Sequence, residues 1–176
     1  MKLKLSAIAL AVAFALAAAA QAQTPATKAT GPDHQRAEQA AADRKARSME
    51  QERIEAQAKA ERAKCGPMKG NEKDICMAEA KGKEKVAKAE LDHKYSSDKV
   101  RSERKVTEAK ADAVYDVAKQ KCDDQKGEAK DACMKQARVD RDRAKGQAEK
   151  TADVKQEQRK EDRAATGGTA EKPKKQ

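Results

Sequence analysis

Small apolar residues recur at helical spacings along a chain whose other positions are mostly charged or amide-bearing. One stripe is Ile54, Ala58, Glu61 and Cys65, and 57 residues later it is matched by Ala111, Tyr115, Ala118 and Cys122. A second stripe is Cys76, Ala80, Ala87 and Leu91, matched by Cys133, Ala137, Ala144 and Ala148 at the same steps of four, seven and four. Steps of three, four and seven fall on one side of an α-helix, so each stripe is an inner face with Lys, Arg, Glu and Asp turned outward. From about residue 37 to 163 the only proline is Pro67, and Ala, Lys, Glu, Arg and Gln favour helix at nearly every position. The pattern predicts an all-α fold.

The stripes repeat because the chain does. KCGPMKGNEKDICMAEA at 64–80 aligns without gaps on KCDDQKGEAKDACMKQA at 121–137, sharing both cysteines and a glycine. Gly70 and Gly127 mark turns, with one cysteine five residues before each glycine and another six after it. Gly66-Pro67 ends the preceding helix, and Asn71 with Asp74 reads as an N-cap with an acid at the third helical position. Glu128 stands in the second copy where the first has Asn71, which predicts a weaker cap. Tyr95-Ser96-Ser97-Asp98 is the expected joint between two antiparallel helical hairpins, with a new helix beginning near 98. A helix running unbroken through it would instead make a rod of about 75 Å from residue 72 to 121. Either arrangement is elongated.

The ends have a different character. Met1–Ala22 carries Lys2 and Lys4, an uncharged apolar run from Ala7 to Ala20 and an Ala-Gln-Ala site, the pattern of a secretory signal. Its removal takes two lysines and no acid, lowering the net charge from +10 to +8. Residues 23–36 read as a flexible spacer and 164–176 as a disordered basic tail. The expected units are therefore 1–22, 23–36, a hairpin over 37–94, a hairpin over 95–163, and 164–176. With one Phe, two Tyr and no Trp, the apolar content is mostly alanine, and any core must be thin.

Four cysteines in an exported chain point to two disulfides. Three pairings are possible. The symmetry about the glycines favours Cys65 with Cys76 and Cys122 with Cys133, each closing a loop worth roughly 2 to 3 kcal/mol. The rival joins Cys65 to Cys133 and Cys76 to Cys122 across two continuous helices. Cys76-Met77 and Cys133-Met134 offer soft ligands for Cu(I) or Zn, but structural zinc sites place cysteines two to four residues apart. Adjacent Cys and Met also point about 100° apart on a helix. The metal expectation is accordingly none, and His34 and His93 stand without a paired ligand motif.

There is no Ser-His-Asp motif, glycine-rich phosphate loop or CxxC pair, so the chain reads as a non-enzyme with no cofactor and no small-molecule substrate. Positive charge is interleaved with acid and lacks aromatic neighbours, which argues against nucleic acid. A partner helix, self-association or an anionic envelope surface are the expected partners.

KCGPMKGNEKDICMAEAK, followed by KVAKAELDHKY and KADAVYDVAKQKCDD, resembles the small exported Ala/Lys-rich proteins of beta-proteobacteria that carry the label TolA-like or cell-envelope biogenesis protein. The resemblance spans about residues 50–150. It implies a periplasmic helical protein of the envelope.

Overall fold

A computed structural model of the chain describes residues 31–166. They form four helices, α1 Pro32–Lys64, α2 Gly70–Tyr95, α3 Lys99–Cys122 and α4 Gly127–Ala165, with no strand among the described residues. The fold is all-α. The signal reading of 1–22 lies outside the described residues, as do 23–30 and 167–176.

Each helix runs against the one before it. Along α1 and α2 the partners are Arg47 with Asp92, Arg62 with Glu84, and Cys65 with Cys76. Along α2 and α3 they are Asn71 with Gln120, Lys85 with Asp112, and His93 with Ser102. Along α3 and α4 they are Glu103 with Lys155, Asp112 with Lys145, and Cys122 with Cys133. Positions rise on one helix as they fall on the other, so all three pairs are antiparallel. Helices pack only on their chain neighbours, and α1 does not reach α4. Among the described residues the result is an open row of four helices with no closed central core.

Local chemistry sets the boundaries. Pro32 occupies the first turn of α1, where its missing N–H costs nothing and its fixed φ suits the helix, and Asp33 adds favourable charge there. This corrects the spacer reading, because residues 32–36 are already helical. At the other end α4 continues to Ala165, so 164 and 165 are helix and not tail. The joint falls where the sequence places it: α2 ends at Tyr95, and the Asp98 carboxylate caps α3 by accepting from the Arg101 N–H at 3.1 Å.

The Asn71 cap is a second correction. Gly70 takes φ of +56° and is itself the first residue of α2, with Lys69 extended before it and no side-chain cap. Asn71 therefore sits inside the first turn. Its Nδ2 donates to the Gln120 carbonyl at 2.8 Å, adding a second donor to a last-turn α3 carbonyl that also accepts from the Asp123 N–H at 3.1 Å.

The buried apolar set is six alanines, Cys65, Cys122 and Leu91, with Ser102 the buried polar residue. Ala58, Cys65, Ala80, Leu91, Ala111, Cys122, Ala137 and Ala148 all belong to the predicted stripes. The stripes account for one inner face per helix, but α2 and α3 have two. Their second faces meet at Gly82, Ser102 and Ala109, with a Cβ on Gly82 falling 2.9 Å from the Ala113 Cβ. Backbones this close leave room for no side chain, so the inner pair packs through absence of bulk.

Two glycine substitutions separate conformational from packing effects. Gly70→Ala has open space around it but a left-handed backbone, and should cost about 1 kcal/mol. Gly146→Ala lies in ordinary α4 helix with open space and should stabilise by about 0.5 to 1 kcal/mol. Thermal unfolding followed by circular dichroism reads both, with opposite signs expected.

Candidate functional site at the stapled turns

The two turns have one conformation. Lys69 and Lys126 are extended, at φ −133° and −130°, and Gly70 and Gly127 follow at φ +56° and +57°. The Met68 N–H donates to the Cys65 carbonyl at 3.2 Å, and the Gln125 N–H to the Cys122 carbonyl at 3.0 Å. This reversal carries the next helix back along the previous one, which brings the flanking cysteines together. Cys65 is bonded to Cys76 with 5.7 Å between Cα atoms, and Cys122 to Cys133 with 5.6 Å. Cys65 and Cys122 are fully buried, and Cys76 and Cys133 half-buried. The local pairing is the one present; the pairing across two continuous helices is not, because Gly66-Pro67 and the glycine turns break those helices.

Met77 and Met134 are half-buried beside the staples, with their sulfurs carried round the helix from the bonded cysteines. Among the described residues no three His, Cys, Asp or Glu side chains gather as a metal site. His34 is exposed on α1, 3.3 Å from Glu38 one turn on. His93 is placed more usefully, at the α2–α3 joint, with Nδ1 2.8 Å from Ser102 Oγ. Ser102 Oγ also reaches the Asp98 and Lys99 carbonyls at 2.7 and 3.2 Å, and a hydroxyl whose proton goes to a carbonyl accepts from His93 Nδ1–H. The hydroxyl is buried and committed to backbone, which makes this pair a latch holding the joint and not a nucleophile with its base. Lys99 Nζ completes the joint by donating to the His93 and Lys94 carbonyls at 2.6 and 2.8 Å.

Charge ties the row together across its surface. Asp112 on α3 accepts from Lys85 of α2 at 3.0 Å and lies 2.5 Å from Lys145 of α4, spanning three helices. Burial alone would raise its pKa, but the hydrogen bonds from Lys145 and Lys85 outweigh that and hold it below the ordinary carboxylate range. Glu84 is held low by Lys88 and Arg62, Glu61 by Lys64 and Lys83, and Glu103 by Lys155. On one side of the α2–α3 pair a shallow groove of about 580 Å³ is floored by Gly82, Val86, Ala113 and Val117, with Val114 largely exposed at its edge.

Sequence reasoning singled out Cys65, Cys76, Cys122, Cys133, Gly70 and Gly127, and the structure brings them together as two matched turns. It did not single out Asp112, Gly82 or the His93–Ser102 latch. Asp112 and Gly82 look like any other charged or small helical residue until the neighbouring helices are placed.

Replacing Cys122 and Cys133 together by Ser should lower stability by roughly 2 to 3 kcal/mol, and dithiothreitol should lower the melting temperature of the wild-type chain in the same direction. For the depressed carboxylates the sign follows from linkage: their contribution is present above the ordinary carboxylate pKa and lost as pH falls through the lower folded value. The melting temperature should therefore hold steady near neutrality and drop below about pH 4, and Asp112→Asn should lower its neutral-pH value and reduce that acid sensitivity. Comparison with protein-family models, with curated proteins and with solved structures finds none that matches this chain.

Proposed function

We propose that this chain is a non-enzymatic helical scaffold or spacer of the cell envelope, exported to the periplasm and stapled by its two disulfides. The observation that carries the reading is the pair of covalently closed turns on an otherwise alanine-thin row. Alanine faces contribute little per residue, so helices of this composition are marginal alone. Disulfides persist in oxidising compartments, which suits export through Met1–Ala22. The resemblance to exported Ala/Lys-rich, TolA-like proteins agrees with that placement.

The mechanism is mechanical. Charged outer faces keep the row soluble and extended, while α1 before about residue 45 runs past the end of α2 with every side chain exposed except the half-exposed Ala40. Such a segment is available to a partner helix or to a second copy. The reading of reactive cysteines with metal or thiol chemistry is less well supported, since both pairs are bonded and the more deeply placed sulfur of each is buried.

Intact mass of the protein taken from the periplasm under non-reducing conditions, with alkylation and peptide mapping, tests this. The expected chain begins at Gln23, takes up no alkylating agent, and yields linked peptides holding Cys65 with Cys76 and Cys122 with Cys133. Four alkylated thiols, or a metal released only by chelator, would sink the scaffold reading and turn attention to the cysteines.

A further inference from the structure

Several cationic side chains gather where α4 runs past the start of α3. A groove of about 460 Å³ is walled there by Arg101 and Arg104 of α3 and by Arg159, Lys160 and Arg163 of α4. Val100 and Ala152 add apolar surface, and the acids in the lining are Asp98 and Asp153. Asp98 is already occupied, accepting from the Arg101 N–H and lying 3.5 Å from Arg101 Nε.

At the middle of the row, cations that face a neighbouring helix meet its carboxylates, as at Asp112 and Glu84. The α3-facing stripe of α4 runs Ala137, Ala144, Ala148 and Ala152, then changes to Lys155 and Arg159. Lys155 is satisfied by both oxygens of Glu103 at 2.7 Å. Arg159, one turn further, has no ion pair among the described residues, and neither does Arg163. Two arginines without carboxylate partners thus project where packing alone would continue with alanine. The N-terminus of α3 opens at the same place, and its dipole adds to the positive potential.

We propose that this groove binds a ligand carrying two adjacent phosphate groups, as a lipid headgroup or a soluble phosphate ester. Of the five cations, Arg101, Arg104 and Lys160 have acids of their own helix within reach, Asp98, Glu108 and Glu157, which leaves Arg159 and Arg163, one turn apart, to take one phosphate each. Guanidinium forks on facing walls match phosphate oxygens two at a time. The volume is within the range of small-ligand sites, and Val100 with Ala152 gives an apolar attachment somewhere to lie. The proposal does not depend on the scaffold reading.

The probe is inorganic pyrophosphate, titrated by calorimetry into the full disulfide-bonded chain at low salt. Saturable binding is expected, and Arg159→Gln with Arg163→Gln should weaken it at least tenfold while the circular dichroism spectrum stays unchanged. Arg104→Gln, on the opposite wall, should weaken it as well. Lys81→Gln with Lys135→Gln removes two exposed cations elsewhere and should change affinity less than twofold. Vesicles of cardiolipin in phosphatidylcholine then identify the source. Retention displaced by pyrophosphate and lost in the Arg159/Arg163 variant assigns a lipid headgroup, whereas pyrophosphate binding without vesicle retention assigns a soluble ester. The proposal is overturned if pyrophosphate does not bind, if the Lys81/Lys135 variant loses as much as the arginine variant, or if Lys172→Gln, Lys174→Gln and Lys175→Gln together abolish binding while the arginine variant retains it.

Discussion

Covalent closure of two turns is the constraint on which the rest of this structure depends. A row of four helices without a closed core must hold each pair by its own interface, and two of the three interfaces are lined mainly by alanine. A disulfide acts largely on the unfolded chain, limiting the conformations that a weak interface must overcome. It also fixes register. Once Cys65 meets Cys76 and Cys122 meets Cys133, every partner further along those helices is set, including Arg62 with Glu84 and Glu103 with Lys155.

The middle interface is held by other means. Between α2 and α3 there is no disulfide, and the joint of three residues between Tyr95 and Lys99 is clamped by polar contacts instead. His93 reaches Ser102, Lys99 reaches the last α2 carbonyls, and at the far end Asn71 reaches Gln120. Gly82 lets the backbones approach between these two clamps. The outer pairs are thus fastened at one end by sulfur, and the inner pair at both ends by hydrogen bonds.

Asn71 also explains an asymmetry between the two copies of the motif. In the first copy that position faces the end of α3 and donates to the Gln120 carbonyl. In the second, Glu128 stands on α4, the last helix of the row, with no further helix beside it among the described residues. A carboxylate in the first turn is favourable there through the helix dipole, so the same position serves a tertiary contact in one copy and a local one in the other.

The sequence by itself determined the helices, both glycine turns and one inner face for each helix, and it favoured the Asp98 joint over an unbroken rod. These are local properties, set by spacing, backbone freedom and capping chemistry within a few residues. Its symmetry also favoured the disulfide pairing, since the cysteines flank each turn evenly, but it could not dismiss the rival. Only the tertiary structure decided that the two hairpins join into one open row, giving α2 and α3 a second buried face. Gly82, Ala109 and Ser102 carry no periodic apolar signal, because a close helix contact selects for small size and not for hydrophobicity. The roles of Asp112 and Asn71 were equally hidden, since the groups they satisfy lie 27 to 49 residues away along the chain.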